Sequence, residues 1–198
     1  KRVIDFCRKY GIAKHGIQLG HAGRKGSTQP PALGGKPLAP GEGAWETVAP
    51  SAIPFAPDWH TPRALTKAEI EQLKEDFVAS VQRAARVGYD VVELHAGHGY
   101  LMHQFLSPIS NHRSDEYGGS LANRMRMVLE TFAAMRAAWP AEKPMGARVS
   151  ATDWVEGGWT PEETVVLARE LKQCGCDYLD VSSGALDPRQ RIPLAPGY

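Results

Sequence analysis

Residues 91–106, VVELHAGHGYLMHQFL, contain the pattern that decides the fold. A short apolar run ends abruptly in His95, and His98 and Tyr100 follow in a segment with two glycines. The apolar residues after them predict a short helix over 101–106. A buried strand that runs into two imidazoles and a phenol suggests metal ligands, a catalytic pair or ordinary packing, and this stretch alone leaves all three open.

The same alternation of strand and helix continues on both sides of that stretch. Short apolar runs predict strands over 16–19, 91–95, 145–149 and 178–181. Helix starts are predicted at the capping boxes of Thr66 and Thr160 and at Ser120, with a helix end at Gly88.

Alternating strands and helices indicate right-handed crossovers and a parallel sheet. Two architectures share this pattern, an open doubly wound sheet and a closed eight-stranded barrel. Both place ligands at the carboxyl ends of the strands. Only the barrel directs all of those ends at one cavity.

The composition is that of an ordinary globular protein. Of 198 residues, 42% are hydrophobic and 23% charged, and the net charge is +1 with Lys and Arg scattered. We therefore predict no nucleic-acid partner and no membrane partner. Three cysteines in a chain of this size suit a reducing cytoplasm.

A long connection, residues 20–65, separates the first two strands. It holds eight of the chain's fifteen prolines. Connections of this length in a compact domain are usually functional, so we interpret it as a surface excursion near a site.

Polar side chains stand at the carboxyl end of each predicted strand. They are Gln18 and His21, then His95, His98 and Tyr100, then Arg148, and finally Asp180, Ser182 and Ser183. Any one of them could cap a local backbone group. Four strands that all end this way indicate a ligand site.

The histidines allow two kinds of site. Zinc needs three or four ligands in a tetrahedron, and His103, the third candidate beside His95 and His98, is expected on the polar side of its helix. Alternatively, two neutral imidazoles donate to one ligand oxygen and stabilise the negative charge that develops there. Tyr100 can donate a proton in the same cavity. We favour this second interpretation and predict no metal.

A cation and an amide complete the predicted set. Arg148 places a permanent charge where an anionic cofactor can use it. Gln18 offers one donor and one acceptor, which suits an imide edge. Together with the carbonyl-binding histidines they suggest a flavin. The sequence has neither GxGxxG nor the P-loop pattern, so it shows no sign of those folds.

Several segments resemble the Old Yellow Enzyme family of FMN-dependent ene-reductases, and most of all its bacterial branch of NADPH dehydrogenases and xenobiotic reductases. They are GIQLGHAGRKGS (16–27), ELHAGHGYLMHQFLSPISNHRSDEYGGSLANR (93–124), ARVSATDW (147–154) and DVSSGAL (180–186). WETVAPSAIPF (45–55) is also similar to the xenobiotic reductases.

The resemblance implies an α/β fold, the TIM (β/α)8 barrel, of which this chain would carry strands three to six. Residues 1–198 would be the central part of a single FMN-binding domain, truncated at both ends. Gln18 would contact the flavin pyrimidine ring, and Arg148 would lie near flavin N1. His95 and His98 would bind the substrate's carbonyl oxygen, and Tyr100 would protonate its alpha carbon.

The activity implied is that of an NADPH dehydrogenase or ene-reductase with bound FMN. NADPH or NADH would give hydride to the flavin, and flavin N5 would pass it to an electron-poor alkene such as an α,β-unsaturated carbonyl compound. We expect the complete protein to be a homo-oligomer.

Two alternatives stay open. One keeps the fold but changes the substrate, as a reductase or hydroxylase-fused domain that acts on acyl-CoA or aromatic-CoA compounds. The other belongs to a different class, a metal-binding, non-redox half-barrel that uses His95, His98 and His103.

Overall fold

The computed structural model describes residues 1–193, which form five α-helices and six strands. The helices are α1 (Arg2–Tyr10), α2 (Lys67–Val87), α3 (Leu101–Leu106), α4 (Leu121–Ala138) and α5 (Pro161–Gln173). The strands are β1 (Gly16–Leu19), β2 (Val48–Ala49), β3 (Arg63–Ala64), β4 (Val91–Ala96), β5 (Met145–Ser150) and β6 (Tyr178–Ser182). All four predicted sheet strands are confirmed.

The main sheet has the order β1-β4-β5-β6, and every neighbouring pair is parallel. Each strand is added beside the previous one, so the order never reverses as it does in a doubly wound sheet. Parallel strands that follow one another in this order, with helices between them, are the pattern of the TIM barrel. The fold is therefore a partial TIM barrel, as predicted.

The two faces of the sheet differ in polarity. In the two central strands one face is buried against the helices, with Val92, Leu94, Ala147 and Val149 all at 0% exposure. Because side chains alternate along a strand, the residues between them form the opposite face. That face is polar, and it would line the interior of a closed barrel. It carries Gln18, Glu93, His95, Arg148, Ser150, Tyr178, Asp180 and Ser182.

The predicted helix starts are confirmed by the hydrogen bonds at the caps. Thr66 accepts the N–H of Glu69, and the Glu69 side chain bonds back to the Thr66 N–H, which completes a capping box. Thr160 forms the same arrangement with Glu163. Such boxes satisfy backbone donors that the first helical turn leaves without partners.

The connection between β1 and α2 is not one uniform excursion. It contains short 3-10 turns and a second, two-stranded parallel sheet of β2 and β3. The Arg113 guanidinium, held by Asp115, donates to the carbonyls of Pro50 and Leu65. Arg24 donates to the carbonyls of Ile53 and Pro54. These bonds fix the connection beside the carboxyl ends of the main sheet.

The predicted domain, residues 1–198, reaches beyond this description, since 194–198 lie outside the described residues. Among the helices of residues 1–193, none is long and apolar enough to cross a membrane.

Candidate functional site

Strand register brings the predicted site residues onto one face of the sheet. Gln18 of β1 stands beside Glu93 of β4, and its Nε2 donates to Glu93 Oε1 at 2.6 Å. Two residues further along β4, His95 stands beside Arg148 of β5, which in turn stands beside Asp180 of β6. An amide, an imidazole and a guanidinium thus share the polar face near the carboxyl ends of the strands.

His95, His98 and Tyr100 form one aromatic cluster. The ring centroids of His95 and His98 lie 5.2 Å apart, and those of His95 and Tyr100 lie 5.0 Å apart, both in edge-on geometry. Gly20, directly after β1, lets the chain pass close to the His95 side chain. The sequence predicts these three groups in one cavity, and in the structure both His98 and Tyr100 lie against His95.

The turn after β4 is held by serines of the neighbouring strands. His98 has a left-handed backbone, with φ of 54°. Its N–H donates to Ser150 Oγ at 2.8 Å, and its Nε2 lies 2.7 Å from Ser182 Oγ. Gly99 is also left-handed, and a Cβ there would overlap the Ala185 carbonyl. Strand β5 therefore holds the backbone of His98 through Ser150, and β6 holds its ring through Ser182.

Both imidazoles are held neutral. Burial, then the neighbouring His98 and Arg148 side chains, lowers the pKa of His95 to about 4. Burial, then Arg148, also lowers the pKa of His98. His95 Nδ1 accepts the N–H of Gly97, which leaves the ring hydrogen on Nε2. Neutral N–H groups at fixed positions can bind an oxygen as its negative charge grows.

This lowered pKa predicts a loss of stability in acid. The unfolded chain takes up a proton on His95 near the ordinary histidine pKa of 6.5, while the folded chain does so only near pH 4. Between these values the unfolded state binds more protons, so the free energy of unfolding falls as the pH falls. The contribution is complete above pH 6.5 and is lost on approach to pH 4.

Urea unfolding of the complete protein at a series of pH values measures this slope. We expect the slope between pH 6.5 and 4 to be smaller in His95→Gln than in the parent protein. Equal slopes would show that His95 does not titrate differently in the two states.

The donor set at the sheet fits a flavin. Arg148 Nε is buried and makes no hydrogen bond within residues 1–193, although it lies 3.3 Å from Asp180 Oδ2. It is thus a cationic donor that still needs an acceptor. Gln18 keeps its carbonyl oxygen for a ligand N–H, because Glu93 occupies only the amide nitrogen. An anionic ring with an imide edge matches both groups.

The prediction for His103 was wrong. Its side chain is completely buried, and not on a polar helix face. Nδ1 accepts the N–H of Gly99 at 2.9 Å, and Nε2 lies 2.8 Å from Asp153 Oδ1. In the described part of the chain, no group of three or more His, Cys, Asp or Glu side chains could hold a metal ion. The metal-binding alternative therefore loses its third ligand.

Lys25 and Glu93 belong to the site but were not predicted from the sequence. Lys25 Nζ donates to the carbonyl of His98 at 2.9 Å and lies 5.4 Å from the Tyr100 ring centroid, so it belongs to the cluster. Its sequence signal was the Arg24-Lys25 pair just after β1, which we counted only among scattered charges. The signal for Glu93 was a carboxylate between Val92 and Leu94 in the middle of an apolar strand.

Three comparisons with known proteins bear on this site. The family described as NADH:flavin oxidoreductase / NADH oxidase matches residues 2–191. NADH:flavin oxidoreductase FG08077 of Gibberella zeae is 47% identical, over the whole chain and 51% of the relative. NADPH dehydrogenase of Geobacillus sp. (strain WCH70) is 43% identical, over the whole chain and 53% of the relative. This chain spans about half the length of both curated relatives.

Among solved structures, morphinone reductase in complex with tetrahydroNAD superposes with a TM-score of 0.70 at 32% identity. The match covers 88% of this chain and 49% of that one.

Proposed function

The chain belongs to the NADH:flavin oxidoreductase / NADH oxidase family, and from that premise we propose that the complete protein is an FMN-dependent oxidoreductase of the Old Yellow Enzyme kind. Its reaction is the reduction, with NADPH or NADH, of the activated C=C bond in α,β-unsaturated carbonyl or similar compounds. The observation that carries this proposal is the cluster of His95, His98 and Tyr100 at the end of β4, with His95 beside Arg148 on the polar face.

Gln18 and Arg148 are proposed to hold the flavin. The Gln18 amide is oriented by Glu93 and pairs with the imide edge, while the Arg148 guanidinium balances negative charge on the ring. When bound, FMN supplies the redox chemistry, which carries hydride from the nicotinamide to the alkene. The residues of the chain are proposed to bind the substrate oxygen and to donate the proton.

His95 and His98 are proposed to bind the substrate oxygen. Because both rings are neutral, each can donate an N–H without placing a full positive charge in the site. Donation to the carbonyl oxygen draws electron density from the conjugated carbon and lowers the barrier to hydride attack. Ser150 holds the backbone N–H of His98 and Ser182 holds its ring, so the imidazole is positioned before the substrate binds.

Tyr100 is proposed as the proton donor. It stands at the N-terminal boundary of α3, and its ring packs edge-on against His95, so the phenol lies beside the oxygen-binding donors. A proton from a positioned phenol quenches the carbanion that forms alpha to the carbonyl. Lys25, 5.4 Å from the ring centroid, favours the negative charge left on the oxygen.

Spectroscopy of the complete protein tests the proposal. We expect the purified protein to show flavin absorbance, to bleach under anaerobic NADPH or NADH, and to regain its colour with a small cyclic enone. A colourless protein would rule out the flavin. If NADPH or NADH reduces the flavin but no activated alkene reoxidises it, the cofactor assignment stands and the proposed substrate class is wrong.

Binding of a phenol tests the two histidines, because a phenolate oxygen imitates the oxygen of the substrate. Titration of the flavin absorbance should show about tenfold weaker binding or more in His98→Ala, which loses one donor to a charged oxygen. His112→Ala, which removes an exposed histidine, is the matched control and should bind as the parent does. Unchanged binding in His98→Ala would remove this residue from the oxygen site.

A further inference from the structure

Lys25 joins three segments that follow different strands. It lies in the turn after β1, and its ammonium donates at 2.9 Å to the carbonyl of His98 after β4 and at 2.9 Å to the carbonyl of Ala185 after β6. These are charge-assisted bonds, which are stronger than those between neutral groups. A single side chain thus connects the segments around the candidate site.

The two carbonyls belong to residues with unusual backbones. Within residues 1–193, only four residues other than glycine have positive φ, and His98 (54°) and Ala185 (69°) are two of them. A left-handed backbone is unfavourable for a residue with a Cβ, and it persists only where surrounding contacts enforce it. The ammonium of Lys25 supplies such a contact for both residues at once.

Two aromatic rings flank the same ammonium. Nζ lies 4.9 Å from the ring centroid of Phe55 and 5.4 Å from that of Tyr100. Phe55 belongs to the segment that Arg24 fixes through the carbonyls of Ile53 and Pro54. A cation at this distance is attracted to the ring faces and also lowers the energy of negative charge on a nearby phenol oxygen.

We propose that Lys25 is a positioning residue for alkene reduction: its ammonium locks the backbones of His98 and Ala185 in their left-handed conformations and sets the charge beside Tyr100. The proposal rests on the function proposed above. It predicts that Lys25 acts on the step that uses His98 and Tyr100, and not on reduction of the flavin by the nicotinamide.

The charge on Lys25 is open to titration. Burial, then the neighbouring Arg24, lowers its pKa to about 8. The other ionisable groups beside it are His98 and Tyr100 on the segment after β4. Asp187, after β6, is paired with Arg189. Above pH 8 the neutral amine of Lys25 still donates hydrogen bonds but has no charge. A change of pH therefore separates its hydrogen bonds to the two backbones from its charge beside Tyr100.

The experiment compares Lys25→Met, Lys25→Arg and the parent as complete holoenzymes. In Lys25→Met the rate constant for flavin reoxidation by an enone should fall about tenfold or more, the effect of losing bonds from a charged donor, while reduction by NADPH stays within about threefold. The parent's reoxidation rate should decline as the pH passes about 8. Lys25→Arg, permanently charged, should show no decline there.

Hydrogen exchange gives a measure that needs no turnover. Peptides that cover 96–101 and 183–188 should exchange faster in Lys25→Met, because both carbonyls lose the same donor. Lys172→Met, which removes an exposed lysine from α5, should leave exchange and both half-reactions as in the parent.

Unchanged exchange in both segments would overturn the lock, whatever the catalytic result. Equal losses in the two half-reactions, or the same pH decline in Lys25→Arg, would overturn the role in alkene reduction. A parent holoenzyme that reduces no activated alkene would refute the proposed function instead, and exchange would still decide on the lock.

Discussion

Tyr100→Phe should slow the proposed alkene reduction by about two to four orders of magnitude, the usual contribution of a positioned general acid. The phenylalanine keeps the ring that packs against His95 and beneath the Lys25 ammonium, so only the proton is lost. In the proposed cycle, reduction of the flavin by NADPH takes no proton from Tyr100, so this half-reaction should stay nearly unchanged. Stopped-flow measurement of the two half-reactions separates these effects.

Tyr117→Phe is the matched control for this variant. Its hydroxyl also makes hydrogen bonds, to Glu71 and Glu130, but these lie on α2 and α4 at the outside of the sheet. Both half-reactions should be those of the parent. A similar loss in the two half-reactions of Tyr100→Phe would show that the residue holds the site together and does not donate the proton.

The elements of the fold were predictable because their signals are local. A capping box such as that of Thr160 and Glu163 depends on four consecutive residues, and the predicted box is present in the structure. The strand predicted over residues 91–95 was recognisable from its short apolar run, and the structure extends it by one residue, to Ala96. The connection before α2 had no such signal, because its order comes from distant donors, Arg24 and Arg113.

The site was predictable only in part, and for a related reason. Parallel strands must bring their carboxyl ends to one edge, so Gln18, His95 and Arg148 could be grouped from sequence. The expected polar side of helix α3 does not exist, because all six of its residues are buried. That is why the prediction for His103 was wrong. Lys25 was missed because its acceptors, backbone carbonyls, carry no sequence signal.

Asp153 is a buried carboxylate beneath the turn that carries His98 and Tyr100. Its side chain is completely buried, and Oδ2 accepts Ser107 Oγ at 2.6 Å and the N–H of Trp159 at 2.7 Å. Oδ1 lies 2.8 Å from His103 Nε2, and His103 Nδ1 in turn accepts the N–H of Gly99. The carboxylate therefore connects the end of β5 to the residue before Tyr100.

Asp153→Ala should lower the free energy of unfolding by about 3–5 kcal/mol, because it leaves the buried Ser107 hydroxyl and Trp159 N–H without their acceptor and removes the carboxylate 2.8 Å from a buried imidazole. Asp153→Asn keeps one oxygen in the same shape and should lose clearly less. Asp58→Ala, an exposed aspartate that also precedes a tryptophan, is the matched control and should change stability by less than about 0.5 kcal/mol. Urea unfolding of the complete holoenzyme measures all three. If Asp153→Ala unfolded at the urea concentration of the Asp58 variant, the carboxylate would not hold the turn that carries His98 and Tyr100, and another support for that turn would be required.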